Sequence, residues 1–150
     1  MPEKAIIDTS VLIALERINI LDVLCRIYSH VILPEAVVSE FGPPSIECYS
    51  SEKVKSPMVR LLVLDLNLGR GEAESIALAS EIGLRLVLDD LKARKVAENL
   101  GLKITGTIGI LLKAESLALI DSAYDKAKEL RDKGFYISDQ LLDKLSRYRK

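Results

Sequence analysis

Short runs of apolar residues that end abruptly in polar ones are the clearest pattern in the chain. Ala5-Ile6-Ile7 stops at Asp8, and Val31-Ile32-Leu33 and Leu86-Val87-Leu88 have the same unbroken form. A continuous apolar run of this length is typical of a strand that is buried on both faces of a parallel sheet. We therefore predict a buried strand at each of these three positions.

Two further strands are predicted from weaker patterns. Residues 59–66 are mostly apolar and resemble a third strand in chain order, and Lys103-Ile104 suggests one more short strand. Residues 45–57 are polar and poorly patterned, which fits a short helix or a loop.

Helical periodicity fills the stretches between these strands. Ala73, Ile76 and Ala77 recur at three- and four-residue intervals after Gly71, which predicts a helix there. Other helices are predicted after Ser10, from about Asn19 to Tyr28, between Pro34 and Gly42, over residues 91–100, 108–118 and 121–133, and from Ser138 to the C terminus. Strands alternating with helices predict one α/β domain over residues 1–150, with three layers and a helical C-terminal flank.

Composition narrows the class of protein. Apolar residues make up 49% of the 150 residues, which argues for a packed core and against disorder. With 21 basic and 22 acidic side chains the formal net charge is −1, so general attraction to nucleic acid is not expected, although a local basic patch is compatible with it. Residues 1–7 are too short for a signal peptide or a membrane span, and we expect a cytoplasmic protein.

The cysteines and the histidine do not suggest a metal site. Cys25 and Cys48 lack the spacing of zinc ligands, and His30 is the only histidine. We predict that both cysteines are ordinary buried or half-buried thiols.

Carboxylates follow the predicted strands at the positions where open parallel sheets bind ligands. Asp8 ends the first strand, Asp89 and Asp90 end the strand at residues 86–88, and Glu40 and Glu72 lie at the ends of helices. If the strands are parallel neighbours, these acids meet at one edge of the sheet. Carboxylates without histidine or cysteine are the ligands that Mg²⁺ or Mn²⁺ prefers.

Each acid also has a purely structural interpretation. Asp8 is suited to cap the helix that follows it, and Glu72 complements the dipole of its own helix. Asp89 and Asp90 fit an ordinary strand-to-helix turn, and Glu40 fits a solvated surface position. The metal-site hypothesis therefore depends on their convergence rather than on any one of them.

Five motifs, in order, resemble the signature of PIN domains, and more closely the branch of uncharacterised prokaryotic PIN proteins related to VapC toxins. The resemblance covers nearly the whole chain, from Lys4 to about Leu142. The motifs are Ile6-Ile7-Asp8-Thr9-Ser10, Leu33-Pro34-Glu35-Ala36-Val37-Val38-Ser39-Glu40, Gly71-Glu72-Ala73-Glu74-Ser75-Ile76-Ala77-Leu78-Ala79, Leu88-Asp89-Asp90 with Arg94, and Gly106-Thr107-Ile108-Gly109.

This resemblance implies an α/β/α sandwich around a mainly parallel sheet and a Mg²⁺- or Mn²⁺-dependent ribonuclease. The catalytic and metal-binding acids are then Asp8, Glu40, Glu72 and Asp89, with Asp90 sharing or replacing the role of Asp89. Ser10 and Thr107 are implied as hydroxyl contacts to an acid or to metal-bound water. Many PIN domains have aspartate at the position of Glu72, so the longer side chain leaves the occupancy of a second metal open.

The resemblance also implies partners: an RNA substrate, a protein antitoxin if the chain is the toxin of a toxin–antitoxin pair, and a second copy in a homodimer. The Leu- and Ile-rich helices at residues 20–28 and 108–120 are expected to carry more apolar surface than a single small domain covers. No membrane partner is expected.

Other functions fit less well or remain open. A receiver domain needs an acidic pair after the first strand, and a haloacid-dehalogenase-like phosphatase needs a second aspartate where Ser10 stands; no phosphate-binding glycine loop is present either. The remaining alternative is a catalytically weak PIN-fold protein that binds RNA or a partner. Lys92, Arg94 and Lys95 are candidates to bind RNA phosphates, or else are solvated helix charges. Aromatic residues are too few for a base-stacking platform.

Overall fold

The computed structural model of the chain describes residues 2–148. Its strands form one parallel sheet in the order β3-β2-β1-β4-β5. The strands are β1 (Lys4–Ile7), β2 (His30–Pro34), β3 (Tyr49–Glu52), β4 (Arg85–Val87) and β5 (Ile104–Thr105). The three buried strands predicted from their apolar runs are β1, β2 and β4, and the short strand predicted near Ile104 is β5.

Helices cover both faces of the sheet, which confirms the predicted three-layer α/β/α fold. They are α1 (Thr9–Arg17), α2 (Leu24–Ile27), α3 (Glu35–Phe41), α4 (Met58–Leu64), α5 (Arg70–Ile82), α6 (Leu91–Asn99), α7 (Thr107–Ser116), α8 (Ala123–Asp132) and α9 (Asp139–Tyr148), with a 3-10 turn (Leu21–Val23) before α2. Within residues 2–148, no helix is both long and apolar enough to cross a membrane.

Side chains of the central strands alternate between two separate cores. Ala5 and Ile7 of β1 pack with α1, α2 and α7 on one face, which we call the α1 side. Ile6 packs with α4, α5 and α6 on the other face, which we call the α5 side. β4 alternates in the same way: Val87 lies on the α1 side, and Leu88 lies on the α5 side. This alternation is the ordinary period of two in a strand, and it also decides which way the following acids point.

The strand predicted at residues 59–66 is wrong, because α4 occupies this segment. Val59 and Leu62, three residues apart, are buried against the α5-side core, whereas Leu61 and Leu64 are exposed. A one-sided pattern of this kind belongs to a surface helix, not to a strand buried on both faces. The missing strand is β3, within residues 45–57, where the side chains of Ser50 and Ser51 are exposed at the sheet edge.

The expected excess of apolar surface at residues 20–28 and 108–120 is limited to a few side chains. Leu24, Ile110 and Leu111 are completely buried within the chain's own core, whereas Leu117 is 54% exposed. Two side chains of α4 are exposed to a similar degree, Leu61 at 52% and Leu64 at 66%. Exposed apolar side chains therefore occur both in the predicted segment 108–120 and on α4.

Cys25 and Cys48 form a disulfide, so the prediction of ordinary thiols is wrong. Cys25 lies in α2 and Cys48 lies directly before β3, at a sequence separation of 23. The two segments come together only because β3 pairs with β2, which follows α2 in the chain. The cross-link fastens the edge strand to a helix of the α1 side.

Opening this cross-link should lower stability. By loop-closure entropy, we expect Cys25→Ser/Cys48→Ser to lose about 3 kcal/mol of unfolding free energy in urea titrations. The wild-type protein in a thiol reductant should lose a similar amount, and the reductant should leave the double variant unchanged. Equal stability of the oxidised wild type and the double variant would contradict the role given to the bond.

Candidate active site

Asp8 lies at the carboxyl end of β1 and is only 3% exposed. One carboxylate oxygen accepts a hydrogen bond from the Ser75 hydroxyl at 3.4 Å, and the other accepts one from the Ser10 hydroxyl at 3.3 Å. Asp8 occupies the N-cap position of α1, yet its side chain forms no capping hydrogen bond. Its carboxylate instead points to the α5 side, where Ser75 of α5 lies.

The electrostatic environment of Asp8 is unfavourable to a negative charge. Burial and the negative charge of Glu72 together raise the pKa of Asp8 from 3.8 to about 6, against the lowering effect of hydrogen bonds from the Thr9 N–H and the Ser10 hydroxyl. In the part of the chain that the structure describes, Asp8 forms no ion pair with a basic side chain. A buried carboxylate with acidic neighbours and no basic partner is a marker of a functional site rather than of a stabilising one.

Glu72 lies in the first turn of α5 and faces Asp8. Its Oε1 accepts a hydrogen bond from the Gly69 N–H at 3.0 Å, which is the usual contact of a glutamate in the first helical turn. Burial raises the pKa of Glu72, and the negative charges of Asp90 and Glu40 add to the rise, against the Gly69 N–H and the positive charge of Lys92. Glu72 is therefore the acid that connects the others electrostatically.

Glu40, near the end of α3, reaches the same place through a gap left by a glycine. Its Oε1 accepts a hydrogen bond from the Thr9 hydroxyl at 2.6 Å. A Cβ added at Gly71 would overlap this Glu40 oxygen and would lie 3.3 Å from the Thr9 hydroxyl. The absence of a side chain at Gly71 thus gives the Glu40 carboxylate room beside Glu72.

Gly71→Ala should displace this carboxylate. We expect a small net loss of stability, about 1 kcal/mol or less, because the displaced atom is the end of a flexible side chain and alanine is favoured over glycine in a helix. In a Glu40→Ala background the same substitution should instead raise stability by up to about 1 kcal/mol, because the overlapping carboxylate is gone and the helix preference for alanine remains. Urea unfolding of the four proteins measures this coupling, and equal costs in the two backgrounds would contradict the contact.

The structure separates Asp89 from Asp90. The two oxygens of Asp89 accept hydrogen bonds from the N–H of Thr107 at 2.8 Å and from its hydroxyl at 2.5 Å, at the start of α7 on the α1 side. A Cβ on Gly106 would lie 2.9 Å from Asp89 Oδ1, so the glycine permits this close approach. Asp90 is exposed, and its Oδ2 accepts from the Ala93 N–H at 2.9 Å as the cap of α6.

The strand register explains this separation. Ile7 of β1 pairs with Val87 of β4, so Asp8 and Leu88 are level and both turn to the α5 side. Asp89, one residue further, turns to the α1 side. Asp8 and Asp89 therefore share an edge of the sheet, but Asp8 reaches Ser75 of α5 on the α5 side, whereas Asp89 reaches Thr107 of α7 on the α1 side.

The acids that influence one another are thus Asp8, Glu72, Glu40 and Asp90, from four separate segments. In the conformation observed, no three His, Cys, Asp or Glu side chains among residues 2–148 are close enough to bind one metal ion together. The chemistry of the set fits Mg²⁺ or Mn²⁺, since it supplies only carboxylate oxygens, and a cation would offset the charges that raise the pKa of Asp8 and Glu72.

Several contributors to this site were missed in the sequence. Thr9 and Ser75 donate hydrogen bonds to Glu40 and Asp8, and Gly71 makes room for Glu40. Ser75 carried a usable signal, because a residue three positions after Glu72 lies on the same face of a helix. The contacts of Thr9 and Gly71 depend on how α1, α3 and α5 meet, which the sequence pattern does not contain.

The three predicted RNA-binding cations have different surroundings. Lys92 and Lys95 are exposed on α6, and the positive charge of Lys92 lowers the pKa of Glu72, which places it beside the acids. Arg94 is half-buried and donates a hydrogen bond from Nη1 to the backbone oxygen of Leu88 at 3.0 Å. A Cβ on Gly106 would lie 2.6 Å from that Nη1. These contacts favour a structural role for Arg94 in holding the loop after β4.

Comparison with known proteins agrees with the fold. A family model described as a PIN domain matches residues 4–149, almost the full length of the sequence. The chain belongs to the PIN-domain family, whose members are generally nucleases. A search of curated proteins gave no match.

Proposed function

We propose that the protein is a Mg²⁺- or Mn²⁺-dependent ribonuclease that hydrolyses phosphodiester bonds at the edge of the sheet where β1 and β4 end. The observation that carries the proposal is the buried Asp8 carboxylate, whose pKa is raised to about 6 beside Glu72 and which has no basic partner. Open parallel sheets bind ligands at this edge. Acids that repel one another are unfavourable for stability, and binding a cation would give this arrangement a function.

We propose Asp8, Glu72, Glu40 and Asp90 as the metal-binding acids. A bound Mg²⁺ or Mn²⁺ polarises a phosphoryl oxygen and lowers the pKa of water, which are the two requirements of phosphodiester hydrolysis. Asp89, the fourth acid implied by the family resemblance, is better suited to position the loop, because Thr107 holds its oxygens at 2.8 and 2.5 Å, whereas the serines lie 3.3 and 3.4 Å from those of Asp8. Asp90 keeps one carboxylate oxygen free of the capping hydrogen bond.

The remaining side chains of the site orient these acids. The hydroxyls of Ser10 and Ser75 donate to the two oxygens of Asp8 and fix the plane of its carboxylate. Thr9 does the same for Glu40. The Ser10 hydroxyl also stabilises the ionised form of Asp8, which is the form that binds a cation. Lys92 on α6 is placed to attract RNA phosphates towards the acids.

Metal-dependent cleavage tests this proposal directly. We expect a fluorescent single-stranded RNA to be cleaved in Mn²⁺, to remain intact in EDTA, and to be cleaved again when Mn²⁺ is restored. Glu72→Gln, purified in parallel, controls for contaminating nucleases, because glutamine still accepts the Gly69 hydrogen bond but binds a cation poorly. Equal cleavage by the wild type and Glu72→Gln would contradict the proposal.

A catalytically weak PIN-fold protein that binds RNA or a protein partner is the second candidate. It is favoured by one observation, that no three acids among the described residues already lie at ligating distance. Under this alternative Mn²⁺ leaves the melting temperature unchanged, and RNA binds without being cleaved. Under the ribonuclease proposal Mn²⁺ raises the melting temperature, since it binds only the folded form.

A toxin role, with a protein antitoxin and a homodimer as partners, is a narrower form of the same proposal. The exposed Leu61 and Leu64 of α4 supply apolar surface of the kind that protein partners cover. Finding a small open reading frame beside the gene would support the toxin assignment. Sedimentation at micromolar concentration reports the dimer, and a monomer alone contradicts it.

A further inference from the structure

A basic groove lies beside the acidic site on the α5 side of the sheet. It has a volume of about 420 Å³ and is lined by residues of α4, of the loop before it and of the start of α5. Its basic members are Lys55, Arg60 and Arg70. Arg70 begins α5 and comes two positions before Glu72, so the groove and the acids share the first turn of that helix.

Arg70 is held by a buried acid that the metal site does not use. Its Nε donates to Glu74 Oε2 at 2.9 Å, and the other Glu74 oxygen accepts from the Ala36 N–H at 3.1 Å. The Glu74 side chain is only 7% exposed, whereas the Arg70 side chain is 66% exposed. A fixed carboxylate therefore holds one side of the guanidinium, and its Nη groups have no acceptor elsewhere in the described structure.

A guanidinium presented in this way is suited to an anion with paired oxygens. Its Nη hydrogens form a planar fork that matches phosphate geometry, and the Glu74 contact limits the rotamer entropy lost on binding. An exposed arginine paired with a surface acid would lack this preorganisation. The Arg70–Glu74 pair is therefore held in place more firmly than an ordinary i,i+4 salt bridge on a helix surface.

The other two cations extend the positive charge along the groove. Lys55 and Arg60 are exposed, and neither forms an ion pair with an acid in residues 2–148. The rest of the lining is mostly aliphatic, including Val54, Val59 and Val63, and contains no aromatic ring. A surface of this composition recognises the phosphates of a nucleic-acid strand rather than stacking its bases.

We propose that this groove binds the phosphate backbone of single-stranded RNA, with Arg70 as the phosphate contact nearest the acids and Glu74 as the residue that orients it. The proposal rests on the proposed ribonuclease function, because it treats the groove as the path by which the strand reaches Asp8 and Glu72. It adds Lys55, Arg60 and Arg70 to the RNA-binding surface and gives the buried Glu74 a role.

Binding in EDTA tests the groove without any requirement for cleavage. We would measure the anisotropy of a fluorescent 12-nucleotide RNA against salt concentration for the wild type, Arg70→Gln, Arg60→Gln and Lys55→Gln. Each variant should bind roughly 5-fold more weakly at low salt, and the slope of log K against log salt should shrink by about 0.7, the value for one phosphate contact on a single strand. Arg26→Gln, which removes an exposed charge from α2 on the α1 side, should bind like the wild type.

Two further variants separate orientation from charge. Arg70→Lys should keep the salt slope but recover only part of the affinity, because lysine lacks the planar fork. Glu74→Gln should weaken binding in the wild-type background and have no further effect in Arg70→Gln, as expected if it acts through Arg70. Circular dichroism melting confirms that each variant is folded at the assay temperature.

The outcomes distinguish this proposal from the proposed function. If the wild type cleaves RNA while the groove variants bind like Arg26→Gln, the groove proposal is overturned and the ribonuclease stands. If the groove variants lose affinity and salt slope while the wild type cleaves nothing, the groove stands and the ribonuclease fails. If the groove variants lose affinity equally for single-stranded DNA, recognition of the phosphate backbone is supported. If the wild-type protein binds no RNA at about 50 mM salt, the groove proposal is overturned.

Discussion

Asp8→Asn should abolish Mn²⁺-dependent RNA cleavage and at the same time make the metal-free protein more stable at pH 8. The activity loss should exceed about 100-fold, as for removal of one group that stabilises charge at a reacting centre. The gain in stability follows from burial and from Glu72, which raise the pKa of Asp8 to about 6 in the folded protein. Ionised Asp8 is therefore unfavourable in the folded state at neutral pH.

The raised pKa of Asp8 also sets the expected size of this stability gain and the pH range in which it appears. The folded protein favours the neutral form of Asp8. The stability that this preference contributes is therefore complete below pH 4, near the unfolded pKa of 3.8, and is lost as the pH rises through the folded pKa of about 6. Asparagine does not ionise, so the free energy of unfolding of Asp8→Asn should exceed that of the wild type by roughly 1–3 kcal/mol in EDTA at pH 8. The difference should disappear towards pH 4.

Urea unfolding from pH 4 to pH 8 in EDTA, and melting curves with and without Mn²⁺, measure these effects. Mn²⁺ should raise the melting temperature of the wild type and leave that of Asp8→Asn almost unchanged. If Asp8 is instead a structural carboxylate, the substitution destabilises the protein by about 1–3 kcal/mol with or without the cation. A loss of stability in EDTA would show that Asp8 is not a metal ligand.

Asp89→Asn and Asp90→Asn should have opposite profiles although the residues are neighbours. Asp89 accepts two hydrogen bonds from Thr107, and loss of its charge should cost about 1–3 kcal/mol at any metal concentration. Asparagine caps helices as well as aspartate does, so Asp90→Asn should keep its stability. It should nevertheless lose most of the Mn²⁺-induced stabilisation and of the cleavage.

Unfolding in EDTA and Mn²⁺, with cleavage measured on the same preparations, distinguishes the two aspartates. The Thr107→Val variant supplies a control for Asp89, because it removes only the hydroxyl donor and should cost less stability than Asp89→Asn. If Asp89→Asn is the variant that loses the response to Mn²⁺ while remaining stable, then Asp89 is the ligand and the assignment to Asp90 is wrong.

The central strands and the edge at which the acids gather could be predicted because both depend on local patterns. β1, β2 and β4 are short apolar runs buried by helices on both sides, and their length and β-branched residues favour strands over helices. β3 could not be found in this way, since an edge strand with exposed serines has no core to select apolar residues. At residues 59–66 the many apolar residues predict a strand, but Val59 and Leu62 have the spacing of a helix.

The features that were missed depend on contacts between distant segments. Cys25 and Cys48 meet because β3 lies next to β2, and no local spacing indicates that pairing. Asp89 and Asp90 both follow the same strand, and only the register with β1 decides which of them turns to the α5 side. Arg70 and Glu74 have the i,i+4 spacing of an ordinary helical ion pair. The burial of Glu74 beneath α3 is what distinguishes this pair.

The central claim is that Asp8, Glu72 and Asp90 bind the same divalent cation, and anomalous diffraction from a crystal grown in Mn²⁺ tests it most directly. We predict an anomalous peak at about 2.0–2.2 Å from a carboxylate oxygen of Asp8 and of Glu72, with Asp90 bound directly or through water. Glu40 is expected in contact with the same ion or with a second one. A peak held by Asp89 with Asp90 turned away, or no peak at this edge of the sheet at saturating Mn²⁺, would contradict the account.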